Sequence, residues 1–439
     1  MIGFLRPFLI FIVMYHILVT VIWYGALWWA YPQLPALGRD GIRVVFFALV
    51  LIYNAKALKT YLKTWKWPWI TLIMLLMFGV EISLFKGKAI YDIFVGVKYG
   101  LMYLFIFLSA TLIGWIFTEH TTNRFLKFLK YTLIITVIAG FIRQGLKCIR
   151  PDLFMSIGYG PLNDFKFGVK PPIYYLTWYQ GALRRQGIFS WPNNYGYFLI
   201  AFLPAVILFL KQKSESIKQF IIGNKQGILN TSILILRIVA IVLTLSRTAY
   251  IGWIVWLALI NIQRIKTHKK ISRGIGILAI AGIVGLSILK WASTLGHIQA
   301  KFGSIKYVIQ EPSGYGLGTS WPAVNHNGTI LPENYYIQLM LDIGTLGFLI
   351  WTVLILQITG IIKRIQQSFK NMHANSNEQT IYNIRRWLNI GRISLLIMGM
   401  FLHVFEDSMI NYIFFVSWWI LSGYLSTIIN KQLPKNSEK

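Results

Sequence analysis

Sulfur chemistry and negative charge are both scarce in this chain. One of its 439 residues is a cysteine, Cys148, and 14 are acidic, against 43 lysines and arginines. A single cysteine excludes a disulfide within the chain and any paired-cysteine metal or redox motif. The formal net charge is +29, but the basic residues are scattered between long apolar runs and make no continuous phosphate-binding face. We therefore expect no nucleic acid partner.

Apolar residues dominate the sequence. Hydrophobic residues make up 56% of it and charged residues 13%, a composition typical of a chain that faces lipid. About 20 helical residues cross the ~30 Å of hydrocarbon in a bilayer, and a window of that length finds about twelve spans. They cover residues 8–30, 41–58, 67–85, 91–118, 127–146, 194–211, 228–246, 249–265, 274–292, 335–362, 386–405 and 409–429. We predict an all-α polytopic membrane protein, a single integral domain over residues 1–439 in a lipid bilayer.

The basic residues predict how the chain is oriented. They concentrate in short connections at 56–66, 211–225, 264–273 and 363–364. Because short cytoplasmic loops retain positive charge, these connections are expected to be cytoplasmic. The N- and C-termini then lie in the cytoplasm as well.

Two connections are long, at about 147–193 and 293–334, and both are predicted to lie outside. Loops of this length without strong helical periodicity are uncommon unless they bind something. We therefore expect the functional residues there and at the adjoining span ends.

Short polar motifs occur at the predicted outer ends of the spans. They are RRQGIFSWPN at 184–193, SR at 246–247, GYGLG at 314–318 and EN at 333–334. In this order and spacing they resemble the O-antigen ligase and Wzy-type O-antigen polymerase superfamily of the bacterial envelope. The resemblance covers about residues 180–360 by motif, and the rest of the chain by span count and topology.

The resemblance rests on eight matching positions. These are Arg184, Gly187, Pro192, Asn193, Ser246, Arg247, Gly316 and Gly318. It implies a membrane enzyme that transfers a glycan from an undecaprenyl-diphosphate-linked donor to an acceptor hydroxyl, with no metal and no cofactor. It also implies a site on the outer face of the bacterial inner membrane, with Asn193, Ser246, Gly316 and Gly318 among its substrate-binding residues.

One position departs from the ligase pattern. Ligases of the superfamily carry His-Asn where the last loop enters its helix, and this chain has Glu333 and Asn334 there. His326 lies seven residues before Glu333, but it does not lead straight into the helix. A glutamate is typical of polymerase-like members, so the difference favours a polymerase acting on a glycan acceptor. The alternative is a ligase that attaches the glycan to a terminal lipid or protein.

The arginines suit a diphosphate leaving group. Such a group needs cations that stay charged in a partly desolvated site, and guanidinium does so while binding phosphate oxygens bidentately. Arg184, Arg185 and Arg247 are the candidates, although arginines at span ends also commonly extend to lipid headgroups. Neighbours on extended backbone point apart, which weakens the case for Arg185. We expect Arg143 and Lys147 to be interfacial anchors.

Transfer to a hydroxyl also needs a group that takes its proton. Glu333 is the candidate base and His326 the second candidate. The alternative for Glu333 is a solvated position beside a helix N-terminus, and the alternative for His326 is an ordinary loop histidine. Asn334, His403 and Asp407 are expected to line the substrate site, although His403 and Asp407 could instead pair with nearby arginines.

A transporter or lipid flippase is the alternative from another class. Transporters tend to have related halves and broken helices with polar groups at mid-membrane. Here the polar motifs gather at one predicted face and no half-repeat is evident, which argues against transport.

Overall fold

The structure, a computed structural model, describes residues 55–156, 159–160, 175–176, 183–189, 191–211, 225–267, 285, 291–320, 332, 334–370, 376–401, 404–406 and 410–436. The spans predicted at 8–30, 41–58 and 274–292 lie wholly or largely outside these residues. Elements are numbered in chain order within the described part.

Helices make up almost all of the described part. The first elements are α1 (Ala55–Phe85), α2 (Ile90–Gly96), α3 (Met102–Trp115), α4 (Glu119–Ile149), α5 (Pro151–Ser156), β1 (Tyr175–Leu176), β2 (Leu183–Arg184) and α6 (Pro192–Lys211). They are followed by α7 (Lys225–Leu243), α8 (Arg247–Thr267), α9 (Trp291–Gln310), α10 (Tyr335–Lys370), α11 (Ser376–Met398) and α12 (Val416–Asn436). The two-residue strands β1 and β2 pair antiparallel, with Tyr175 opposite Arg184.

Several helices have the length and composition of membrane spans. Within the described residues four segments qualify: Leu58–Phe85, Glu119–Ile149, Tyr335–Phe369 and Ile413–Asn430. A fifth crossing results if the bent pair Ile90–Leu101 and Tyr103–Trp115 is one span. The described part of the chain is therefore a helical protein with several segments long enough to cross a bilayer.

The span predicted at 91–118 is broken rather than continuous. The segments Ile90–Leu101 and Tyr103–Trp115 are bent by 56° relative to each other, and the first of them ends in a π-helical turn at Val97–Leu101. At Gly96 a Cβ would overlap the backbone nitrogen of Gly318 and would lie 2.7 Å from the carbonyl carbon of Leu317. Glycine at this position therefore lets a loop backbone pack directly against the end of α2.

Both predicted outer loops contain regular structure. In 147–193, α4 continues to Ile149 and is followed by α5 and the β1–β2 pair. The prediction of an irregular loop at 293–334 is wrong for its first part, because α9 extends through residue 310. Its apolar residues recur at helical spacing, at Leu295, Ile298 and Phe302. These side chains are exposed, and the helix lacks the continuous apolar run of a span.

The core is built around α12. In the segment Ile413–Asn430, which includes most of this helix, 89% of the residues are buried. It packs along α3 through two glycines, because a Cβ at Gly114 would overlap the carbonyl oxygen of Ile420 and one at Gly423 would overlap that of Thr111. Small residues of this kind let helix backbones touch inside a membrane. Elsewhere α11 packs on α6 and α8, and α10 packs on α1.

α10 is kinked near its start. Gly344 has φ +70° and ψ 177°, a conformation that favours glycine. The backbone N–H of Thr345, after the kink, donates to the carbonyl oxygen of Pro312 at 2.9 Å. The loop after α9 is therefore docked at the kink, which fixes it beside the first two turns of α10.

Candidate functional site

Arg184 joins two of the motifs predicted from the sequence. Its Nε donates to the carbonyl oxygen of Thr244 at 3.1 Å and its Nη2 to Oδ1 of Asn193 at 2.8 Å. The backbone N–H of Arg185 donates to the carbonyl oxygen of Leu243 at 2.8 Å. β2 is thus held between the end of α7 and the start of α6, with the Arg184 side chain bridging them.

The turn between α7 and α8 carries Ser246 and Arg247. Leu245 in this turn has φ +47°, a left-handed conformation that is strained for a residue with a side chain. Ser246 is buried, and its Oγ accepts a hydrogen bond from the backbone N–H of Ala249 at 3.3 Å, so it caps α8. Arg247 begins α8. The turn therefore holds Arg247 close to the segment that Arg184 binds.

Lys301 is a third cation, which the sequence analysis missed. Its Nζ lies 4.8 Å from the ring centroid of Phe401. Burial, and after it the positive charge of Arg247, lower the pKa of Lys301 from its ordinary value. Lys301 is therefore within electrostatic reach of Arg247. We call Arg184, Arg247 and Lys301 the cationic cluster.

The start of α10 is tied to the same region. The Oδ1 of Asn334 accepts hydrogen bonds from the backbone N–H groups of Tyr336 and Ile337 at 2.9 and 3.2 Å, which caps the helix. The Nδ2 of Asn334 donates to the carbonyl oxygen of Met400 at 2.8 Å. The next residue, Phe401, contacts Lys301. Asn334 is thus linked through one short turn to the cationic cluster.

Four predicted site residues lie outside the described residues. They are Glu333, His326, His403 and Asp407. Glu333 immediately precedes Asn334 in the chain, and His403 follows Phe401 by two residues. Asn334 and Phe401 both take part in the contacts that connect α10 to Lys301.

Gly316 and Gly318 lie in a buried turn between α1, α2 and α10. Their φ angles are +92° and +87°. The backbone N–H of Gly318 donates to the carboxylate of Asp342 at 2.9 Å, and that of Leu317 donates to Oγ of Ser83 at 2.7 Å. We call residues 314–318 the glycine wedge. The contacts described for it run to α1, α2, α10 and the end of α9, where the hydroxyl of Tyr315 donates to the carbonyl oxygen of Tyr307 at 3.3 Å, and none of them involves Arg184, Arg247 or Lys301.

Arg143 and Lys147 are buried inside the protein, which corrects the expectation that they are interfacial anchors. Arg143 is 7% exposed and Lys147 is 0% exposed. The Nη1 of Arg143 donates to the carbonyl oxygen of Gly187 at 3.1 Å. The Nζ of Lys147 lies 4.5 Å from the ring centroid of Tyr159. Arg143 thus holds the segment that follows β2, in the first motif.

Comparison of the chain with known protein families and with curated proteins finds no match. The resemblance to the O-antigen ligase and polymerase superfamily therefore rests on the sequence motifs alone.

The cationic cluster is suited to an anion with several oxygens. It draws on three separate elements, β2, α8 and α9, and two of its members are guanidinium groups that can bind phosphate oxygens in pairs. Holding like charges together is unfavourable unless an anion offsets them. Among the described residues no group of three His, Cys, Asp or Glu side chains could hold a metal ion.

Proposed function

We propose that this chain is a membrane glycosyltransferase that moves a glycan from an undecaprenyl-diphosphate-linked donor to an acceptor hydroxyl. We further propose that it is a polysaccharide polymerase of the O-antigen type, whose acceptor is the next lipid-linked repeat unit. One observation carries the proposal: the cationic cluster lies beside the start of α10. The cationic cluster suits a diphosphate leaving group, and the start of α10 directly follows Glu333, the proposed base.

The proposed step exchanges one bond at the anomeric carbon for another. The bond from this carbon to the diphosphate oxygen breaks, and a bond to the acceptor hydroxyl oxygen forms. Undecaprenyl diphosphate departs with the electron pair. Arg184, Arg247 and Lys301 neutralise the negative charge that develops on it, which lowers the barrier most when the cations are positioned in advance.

Glu333 is the proposed base that accepts the hydroxyl proton, with His326 as the second candidate. Its position in the chain supports this role, since it directly precedes Asn334. The Asn334 side chain caps α10 and bonds the turn that carries Phe401 against Lys301. A carboxylate at this point acts on a hydroxyl beside the bound diphosphate.

The same proposal includes a membrane arrangement. We propose about twelve spans in the bacterial inner membrane, both termini in the cytoplasm, and a site at the outer face. The distribution of lysine and arginine over the short connections supports this orientation. The lipid-linked donor then reaches the cationic cluster from the outer leaflet.

The broken span α2–α3 is the observation that supports a lipid flippase, since broken helices often form transporter sites. Here, however, the end of α2 is packed against the backbone of Leu317 and Gly318. The clustered cations lie on other elements, β2, α8 and α9. This placement favours transfer chemistry over transport.

Deleting the gene and measuring surface glycan length tests the proposal. A polymerase predicts glycans of a single repeat unit in the deletion strain. Long glycans that accumulate without attachment would indicate the ligase instead. Loss of outer-leaflet repeat units would indicate a flippase.

A further inference from the structure

α9 exposes a continuous apolar stripe. The residues of the stripe recur at alternating steps of three and four, so they lie one after another along a single face of the helix. Phe302 and Ile309 are the most exposed of them, at 71% and 72%. At a rise of about 1.5 Å per residue, the stripe is about 20 Å long. Its members are Leu295, Ile298, Phe302, Ile305 and Ile309.

A line of polar positions and glycine runs directly beside the apolar stripe. Its residues are exposed and recur at steps of four, three and four, each next to an apolar position. The boundary between apolar and polar surface is therefore sharp over the length of the helix. Such a division is typical of a helix that lies between a lipid phase and water. The residues of this polar line are Gln299, Gly303, Lys306 and Gln310.

The remaining side of α9 is packed against the protein. Ser304 and Val308 are buried there, and Val308 forms a small apolar cluster with Ile337 and Leu341 of α10. At about 100° per residue, neither Ser304 nor Val308 belongs to the apolar stripe or to the polar line. Packing on α10 therefore fixes the helix and leaves its apolar stripe uncovered within the described part of the chain.

The end of α9 is tied to the end of a membrane span. Glu311, which directly follows α9, forms an ion pair with Lys86, with 3.0 Å between Oε2 and Nζ. Lys86 in turn directly follows the span Leu58–Phe85. Because the hydrocarbon ends where a span ends, this ion pair places the end of α9 at the level of the membrane surface.

A second tie connects α9 to the apolar surface of α10. The carbonyl oxygen of Pro312 accepts a hydrogen bond from the backbone N–H of Thr345 at 2.9 Å. The residue after Thr345 begins the exposed apolar stripe of this span, which consists of Leu346, Leu349, Val353 and Leu356. The apolar stripe of α9 thus ends where a surface that lipid covers in a membrane span begins.

The charge of α9 also suits a lipid surface. Its sequence contains Lys301 and Lys306 and no acidic residue. Lys301 is half-buried and lies between the packed side and the apolar stripe, whereas Lys306 belongs to the polar line. Basic residues beside an apolar face add attraction to anionic headgroups.

We propose that α9 lies along the outer surface of the bilayer, with its apolar stripe inserted among the lipids of the outer leaflet and its polar line facing water. Helices of this kind bury their apolar face about 5–10 Å into the boundary between headgroups and acyl chains. Lys301 then lies at the depth of the headgroups. The choice of leaflet and the consequence for the donor rest on the proposed function: the cationic cluster is held at the depth of a lipid-linked diphosphate.

Spin labels on single cysteines test this contact in the full-length protein, reconstituted in vesicles of phosphatidylcholine and phosphatidylglycerol. The background is Cys148→Ser, and the labelled variants are Leu295→Cys, Phe302→Cys and Ile309→Cys. Power saturation compares collisions with oxygen, which concentrates in the bilayer, and with a nickel chelate, which stays in water. All three labels should favour oxygen several-fold, and all three should lie at the same shallow depth.

Gly303→Cys and Gln310→Cys are the matched controls, because they lie on the polar line next to Phe302 and Ile309. Gly303 has no atom within 4 Å of a Cβ placed there, so the substitution fits. Labels at these two positions should collide mainly with the nickel chelate. Leu349→Cys, in the exposed apolar stripe of α10, provides the reference for a deep position in lipid.

Three results would overturn the inference. Stripe labels that collide mainly with the nickel chelate would place the stripe in water. Labels shielded from both reagents would show that a second copy of the chain covers it. Depth that increases by about 1.5 Å per residue from Leu295 to Ile309 would show a helix that crosses the bilayer. The labels report lipid contact whether or not glycan is transferred, so an inactive protein with lipid-embedded labels would contradict the proposed function alone.

Discussion

At the scale of single residues, the proposed role of Arg247 requires a guanidinium group and not only a positive charge. A lysine in its place keeps the charge but offers a point charge instead of a planar pair of donors. A hydrogen bond to a charged group contributes about 1.5–3 kcal/mol, so Arg247→Lys should lower kcat/KM for the lipid-linked donor by roughly 10- to 100-fold. Steady-state kinetics on the purified variant measures this.

The control for Arg247→Lys is Arg150→Lys, which changes an exposed arginine paired with Asp152. It should retain wild-type kinetics. If Arg247→Lys also retains them, while folding as well as the control, Arg247 is only an anchor at the membrane surface.

Lys301 gives the cluster a pH dependence. Burial, and then the charge of Arg247, lower its pKa. Lysine binds an anion only while it is charged, that is below its pKa, so donor binding should weaken as the pH rises through this lowered value. The kcat/KM profile, which reports the free enzyme, should therefore decline on its alkaline side.

Lys301→Arg should move that decline to higher pH, because guanidinium stays charged throughout the range. Lys306→Arg on the same helix is the control, since Lys306 is exposed and should not alter the profile. An alkaline decline that Lys301→Arg leaves in place would assign it to another group.

For single residues, the sequence indicates which residue types belong to the site better than it indicates which residues are in contact. It grouped Arg184 with Asn193, and the structure joins them by a hydrogen bond. It missed Lys301, because a lone lysine in a presumed loop has no pattern that marks it. It also misjudged Arg143, although Gly140, Arg143, Gln144 and Lys147 recur at the spacing of one helix face. That face is buried, which hydropathy alone does not reveal.

At the scale of helices and loops, the glycine wedge is held between α1 and α10. It connects α1 through Ser83 and α10 through Asp342. A side chain at Gly318 would overlap the carbonyl oxygen of Asp92, and its φ of +87° is unfavourable for any other residue. The wedge therefore tolerates little change.

Gly318→Ala should destabilise the protein by about 1–3 kcal/mol, the usual cost of a residue forced into such a conformation. Thermal unfolding in detergent would show this as a lower Tm. Gly303→Ala is the matched control, since Gly303 lies in α9 with no atom within 4 Å of a Cβ placed there. In a helix that change should be neutral or slightly stabilising. Equal Tm values for the two variants would mean that the wedge is not under constraint.

Helices at this scale were predictable where apolar runs were long. The spans expected at 127–146 and 335–362 fall within α4 and α10. The break in 91–118, between Leu101 and Tyr103, was not predicted, because a hydropathy window averages over the apolar run and carries no information on the direction of the helix axis. α9 was missed since its exposed apolar residues are too few for a span, although their spacing is helical.

At the scale of the whole molecule, the proposed orientation places α9 outside and the end of α10 inside. Because the native Cys148 is exposed, the experiment uses a Cys148→Ser background with single cysteines at Lys306 or Lys363, both exposed. Lys306→Cys should react with an impermeant thiol reagent in sealed cells. Lys363→Cys should react only after the cells are permeabilised. The opposite labelling pattern would invert the topology and place the site in the cytoplasm.

The central claim is that the whole protein transfers glycan from a polyprenyl-diphosphate donor, and reconstitution tests it most directly. Purified protein in liposomes is given a single lipid-linked repeat unit in the presence of a metal chelator. We expect a ladder of longer lipid-linked glycans with release of undecaprenyl diphosphate. In Glu333→Gln the ladder should form about two orders of magnitude more slowly, since positioned proton transfer typically contributes 10²- to 10⁴-fold. Folded wild-type protein that forms no ladder and releases no undecaprenyl diphosphate would contradict it.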